Sequence, residues 1–166
     1  MLETIRLLYD YTKWADGRMF EAVSKLSPEQ WTKDLGSSLK SARDTVVHVV
    51  SAQWIWISRW KGETPKGMWT AAEFPTPASI REKWEPLAAD LAAFVREQTA
   101  ESVAKPLTYK NLKGESLTYP LGQLMLHTAN HSTYHRGQVT TLIRQLGAQP
   151  LSSDLVVYYA ELAKAR

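Results

Sequence analysis

Four long stretches of this chain repeat apolar residues at three-and-four spacing, and that periodicity confines it to a helical fold. From Leu2 to Leu26 the stripe is Ile5, Leu8, Tyr9, Tyr11, Ala15, Met19, Phe20, Val23 and Leu26, weakest in its middle. Gly17 inside it costs about 1 kcal/mol against alanine, too little to break the helix. Ser27-Pro28-Glu29-Gln30 reads as a stop and a short restart, since serine caps and proline suits the first helical position. A second helix opens at Ser41, with Asp44 three residues on as its capping partner, and runs through Trp60 before Gly62 and Pro65. Its density of Val, Ile and Trp predicts that it is largely buried.

Residues 62–77, rich in glycine and proline, form a long connection across the end of the molecule. A third helix is expected from about Ala78 to Thr99, on Ile80, Trp84, Leu87, Leu91, Phe94 and Val95, with Pro86 predicting a kink or a late start. Leu107-Thr108-Tyr109 and Leu117-Thr118-Tyr119 alternate around Lys113-Gly114, the pattern of a small β-hairpin. Gly122 to Leu146 reads as the fourth long helix, and Ser153 or Asp154 caps a shorter one to about Leu162. The fold expected is all-α: a four-helix bundle with a long crossover connection, a small β-hairpin and a short C-terminal helix.

At 166 residues, 44% hydrophobic and 22% charged, the chain suits one globular domain over 1–166. Its 20 basic and 17 acidic residues leave +3, with no basic run to track phosphates, so a nucleic-acid partner is not expected. With no cysteine, disulfide scaffolds, thiolate metal sites and cysteine nucleophiles are excluded together. The most apolar stretch, Val46 to Trp60, is interrupted by His48, Ser51, Gln53 and Arg59, so no membrane span is expected. Glu3 and Asp10 stand where a signal peptide has a basic start and an apolar run, which makes the cytoplasm the expected location.

The four histidines are His48 in the second helix and His127, His131 and His135 in the fourth. Helical residues four apart are displaced by about 40° around the axis and ~6 Å along it, so the last three form one slanting ridge. The outer two lie ~12 Å apart along the axis, whereas metal–nitrogen bonds are about 2.1 Å, so at most an adjacent pair shares one ion. His131 belongs to both possible pairs. A third imidazole must come from another helix, and His48 is the only one; on so apolar a helix it would otherwise be an awkward core residue. Three histidines with an open position have the form of a catalytic metal centre. The opposing account is chance clustering of hydrogen-bonded core histidines.

The run Leu126-His127-Thr128-Ala129-Asn130-His131-Ser132-Thr133-Tyr134-His135-Arg136-Gly137-Gln138 resembles the motif of the DinB/YfiT-like metalloenzyme superfamily. Weaker likeness lies in Trp14-Ala15-Asp16 and in Ser41 to His48 with the Trp-rich continuation to Trp60, and the helix order fits over nearly the whole chain. The resemblance implies a four-helix bundle, a homodimer, and one divalent metal held by His48, His131 and His135, with His127 as a neighbour. That superfamily often carries asparagine where this chain has Asp16; Asp16 is expected to be a solvated helix charge.

Ser132 follows His131 where the metalloprotease pattern H-E-x-x-H would place a glutamate, which disfavours that protease chemistry. Several relatives use a metal-activated low-molecular-weight thiol for S-transfer or isomerisation, so the resemblance implies a metal-dependent enzyme of thiol-transferase or hydrolase type acting on a small molecule. Catalytic residues are not identified, and the cation can be Zn, Ni, Fe or Co. The alternative is a non-catalytic metal-binding stress-response module; a DNA-associated damage-response role is opposed by the low charge. Asp44 is expected to cap rather than act as a base, and Arg136 to form a surface salt bridge. Of seven tryptophans, Trp54 and Trp84 are assigned to the core, Trp69 to a lid, and some of the others to a subunit interface.

Overall fold

The computed structural model describes residues 1–164. Helix α1 spans Leu2–Val23 and buries one stripe from Ile5 through Val23. Ser27 accepts the Gln30 N–H while the Gln30 side chain returns to the Ser27 N–H, and this capping box with Pro28 starts the short α2, Pro28–Thr32. Ser41 caps α3, Ala42–Trp60, by accepting the Asp44 N–H, and donates its hydroxyl to the Asp44 carboxylate. Asp44 also meets Arg43, so it serves the cap as expected.

The long connection carries a 3-10 turn at Ala71–Glu73 and the buried Phe74, whose carbonyl accepts from the indole of Trp31. Helix α4, Pro77–Glu97, starts at a Thr76–Ser79 capping box with Pro77 in the first turn. The late start expected from Pro86 does not occur. Pro86 lies on the exposed side of a continuous helix, where water can serve the carbonyl that its missing N–H leaves unpaired.

A second helix-like turn, α5 at Ala100–Ala104, was not foreseen; the Thr99–Ser102 capping box makes it. The expected hairpin follows as β1, Pro106–Lys110, and β2, Ser116–Pro120, antiparallel and registered Pro106 to Pro120 and Lys110 to Ser116. Gly114 turns it with φ of 84°, and the Asn111 side-chain oxygen accepts from the N–H groups of Lys113 and Glu115. Helix α6, Leu121–Gln145, starts directly from the hairpin, where the Leu121 N–H bonds the Lys105 carbonyl. A Cβ on Gly122 would sit 3.0 Å from the Val103 carbonyl, so glycine lets α6 close against α5. The short α7, Leu155–Lys164, ends the described chain.

Among the described residues these seven helices and one two-stranded antiparallel sheet make the protein mostly helical. The four long helices pack α1 on α4, α4 on α3, α3 on α6 and α6 on α1. The core lies among them, with Ile5, Val46, Val49, Ile80, Met125 and Ile143 all inaccessible or nearly so. Each such side chain contributes roughly 1.5–3 kcal/mol on burial, which outweighs one unfavourable glycine in α1. Among the described residues no helix is long and apolar enough to cross a membrane.

Most of the tryptophans expected at a subunit interface lie inside the chain instead. Trp31, Trp56, Trp60 and Trp84 are buried within the chain, and Trp14 packs on Tyr158 of α7 while donating to Glu161. Trp54 is half-buried rather than central and packs on Trp69. Trp69 is pinned in turn, its backbone N–H donating to Ser51 and its ring meeting Phe74.

Candidate metal centre

Helices α3 and α6 lie side by side, and the seam between them places His48 opposite the histidine ridge. His48, His131 and His135 each present one ring nitrogen, and those three nitrogens lie within 4.8 Å of one another. The Nε2 atoms of His48 and His131 are 3.3 Å apart. Ring centroids are 4.4 Å apart for His48–His135 and for His131–His135, and 5.1 Å for His48–His131. His127 stands one turn away, 5.8 Å from His131, with its ring edge-on to Trp56. The structure thus unites the His131–His135 pair with His48 and leaves His127 outside.

The donor set fits a borderline divalent cation. Three nitrogens at about 2.1 Å from one tetrahedral ion are roughly 3.4 Å apart, close to the His48–His131 separation, and small ring rotations close the remainder. The proton positions agree. His135 Nδ1 is 2.7 Å from the Gln138 side-chain oxygen, an atom that only accepts, so Nδ1 carries the proton and Nε2 keeps its lone pair. Burial, followed by repulsion from His135, pushes His48 down to about 4. Burial also pushes His131 down to about 4, with His135, His48 and His127 adding to it. Both rings are therefore neutral near pH 7, the form that ligates metal.

This predicts an acid-sensitive metal-free protein. Unfolded imidazoles protonate near 6.5, whereas His48 and His131 in the fold resist until about pH 4. Between those values the unfolded chain binds more protons, so stability present above pH 6.5 is lost as pH falls toward 4. Thermal melting of chelator-treated protein should show the midpoint falling across that window, and His48→Gln should flatten the slope. A midpoint constant from pH 7 to 4.5 would contradict it.

Directly behind the triad the structure reverses two expectations. Asp16 is 1% exposed and Arg136 is 2% exposed, so neither is a surface charge. Arg136 Nη1 donates to Asp16 Oδ1 at 2.8 Å, and its Nη2 donates to Thr133. Gln53 of α3 donates to Asp16 Oδ2 at 2.7 Å and to the Ser132 hydroxyl at 3.1 Å. The guanidinium also lies over the ring of Tyr11. Burial of both charges is possible because each finds the other within a web that serves both Asp16 oxygens and both terminal nitrogens of Arg136, although Arg136 Nε is left without a partner. The web ties α1, α3 and α6 together between the residues flanking the histidines. Sequence reasoning missed it, although Thr12 and Asp16 interrupt the α1 stripe where Ser132 and Arg136 interrupt that of α6. Facing gaps of opposite charge are the available signal.

Known proteins carry the same build. A solved DinB-like protein from Bacillus cereus superposes with a TM-score of 0.68 over 87% of this chain and 91% of that one, at 17% identity, which speaks for the fold. Protein DinB of Bacillus subtilis is 29% identical over 156 residues, 91% of each chain. The DinB family model matches residues 1–164. With the match running through all four long helices and both halves of the histidine cluster, this chain belongs to the DinB family.

Proposed function

We propose that this DinB-family chain binds one divalent cation through His48, His131 and His135, and that it is an enzyme acting on a small molecule. In this reading the ring of four long helices is a four-helix bundle whose α3–α6 seam holds the site. The observation that carries the proposal is the convergence of three imidazole nitrogens from two helices within 4.8 Å. When bound, such an ion supplies a concentrated positive charge that lowers the proton affinity of a thiol or a water. Three imidazoles accept Zn²⁺, Ni²⁺, Fe²⁺ or Co²⁺ alike, and cellular supply decides among them.

The residues around the triad favour thiol chemistry over hydrolysis. Among the described residues no carboxylate joins the histidine cluster, and Asp44 is occupied by Ser41 and Arg43. Within the cluster itself, then, no carboxylate stands as the base that hydrolysis of a poor substrate needs. His127, with its ring beside His131, is the basic group placed to receive a proton from a substrate thiol. Gln138 holds the His135 ring in the ligating tautomer, and the Asp16–Arg136 web holds the α6 ridge against α3. A homodimer completes the proposal. Val156, Tyr159 and Leu162 expose an apolar row along α7, the surface available for it, and sedimentation at micromolar concentration checks that point.

A cluster made of imidazoles alone is also compatible with a second reading, a metal-binding module without turnover. Elemental analysis of untagged protein, followed by turnover assays with low-molecular-weight thiols, electrophiles and esters, separates the two. The enzyme reading expects about one metal per chain and thiol-dependent turnover that chelation abolishes. Metal without turnover across that panel selects the module, and absence of metal after reconstitution rejects both.

A further inference from the structure

Among the described residues two arginines are buried, Arg59 and Arg136, and they differ in their ionic partners. Arg136 has its carboxylate, whereas Arg59, 7% exposed at the end of α3, has none within ion-pair range among the described residues. Its Nε has no hydrogen-bond partner there, a gap it shares with Arg136, so the missing carboxylate is what sets it apart. The guanidinium carbon lies 4.9 Å from the ring centres of both Trp56 and Tyr109. Ring faces offset part of the cost of burying a cation, but they leave the buried Nε–H of Arg59 without an acceptor. An unpaired buried guanidinium is costly, and a bidentate oxyanion is the partner its fork of donors fits.

There is room for that partner. Arg59 lines a cleft of about 400 Å³ together with Lys110, Thr64, Thr108 and Ser116; with the Thr108 hydroxyl paired to Thr118, these supply a second cation and the hydroxyls of Thr64 and Ser116. Glu63, also on its rim, opposes an anion. Tyr109 forms a wall of this cleft and of a neighbouring one of about 320 Å³, whose other walls include Trp56, Tyr119 and His127. That aromatic cleft ends at the histidine adjoining His131.

We propose that Arg59 and Lys110 form an oxyanion-binding subsite, anchoring the acid end of an elongated small molecule whose flat apolar body lies against Tyr109, Trp56 and Tyr119. The part of this inference that concerns reaction rests on the triad being the reacting centre. Arg59 lies eleven residues beyond His48 on the same helix. At 1.5 Å per residue the two ends are about 16 Å apart, so a compact acid reaches the anchor alone and only a long molecule spans both.

The test is an NMR titration of metal-free protein with phenylphosphonate, benzoate and inorganic phosphate, following the Trp56 indole N–H and the Arg59 Nε–H. Phenylphosphonate and benzoate should shift both signals saturably and bind more tightly than phosphate. Arg59→Met should weaken binding about tenfold or more, and Arg59→Lys less, because the lost contact is charge-assisted. Where Arg59→Met does not fold, the exposed positions decide: Lys110→Gln should weaken binding and Glu63→Gln tighten it. Unmoved Trp56 and Arg59 signals, or equal affinities across these variants, would overturn the subsite. Phosphate binding as tightly as phenylphosphonate would overturn the apolar body. Because no metal is present, failure here is separate from failure of the histidine site.

Discussion

Replacing Asp16 with alanine is expected to destabilise the protein by about 3–5 kcal/mol, the usual cost of leaving one member of a buried ion pair alone. The pair concerned has both members almost fully enclosed, with Arg136 donating to Asp16 at 2.8 Å. Removing the carboxylate strands the guanidinium and also leaves Gln53 with Ser132 alone. For a chain of this length, each kcal/mol lowers the melting midpoint by about 2–4 °C, so a drop on the order of 10 °C is expected. Asp16→Asn should lose less, since an amide oxygen still accepts. The double change Asp16→Leu with Arg136→Met should recover much of the loss, because apolar residues of similar volume remove the stranded charge. A single Asp16→Ala within 1 kcal/mol of the parent would show that the web does not hold the helices.

His131→Ala should reduce bound metal from about one equivalent per chain to a small fraction of that. His131 is the ring flanked by both others, its Nε2 3.3 Å from that of His48 and its centroid 4.4 Å from that of His135. Two remaining imidazoles on different helices hold a borderline ion far more weakly than three. Gln138→Ala, which frees the His135 tautomer, should cost 10–100-fold in affinity and no more. His127→Ala should leave metal content unchanged, since that ring faces Trp56. Competition with a chromophoric chelator measures all three. Full retention of metal by His131→Ala would remove the site as drawn.

Much of the architecture was legible because helix formation is local. Three-and-four spacing, Ser27 and Ser41 as caps, and Gly114 in the hairpin turn each act within a few residues of sequence. The same reach explains the errors. Pro86 was read from its missing donor alone, but whether that breaks a helix depends on which side meets water. The tryptophans could be counted, but their neighbours, α7 for Trp14 and Phe74 for Trp31, lie far along the chain.

For the site, the order of four histidines already required that at most two neighbours from the ridge act together, because helical rise separates the outer rings. That constraint is covalent and local, so the chain alone determines it. Which pair lies beside His48 was decided by the packing of α3 on α6, which faces His48 toward His131 and His135 and turns His127 to Trp56. The burial of Asp16 with Arg136, and the lack of any such partner for Arg59 among the described residues, were likewise decided only in three dimensions. A charge's surroundings depend on residues about 40 to 120 positions away brought close by helix packing, and no local pattern encodes that distance.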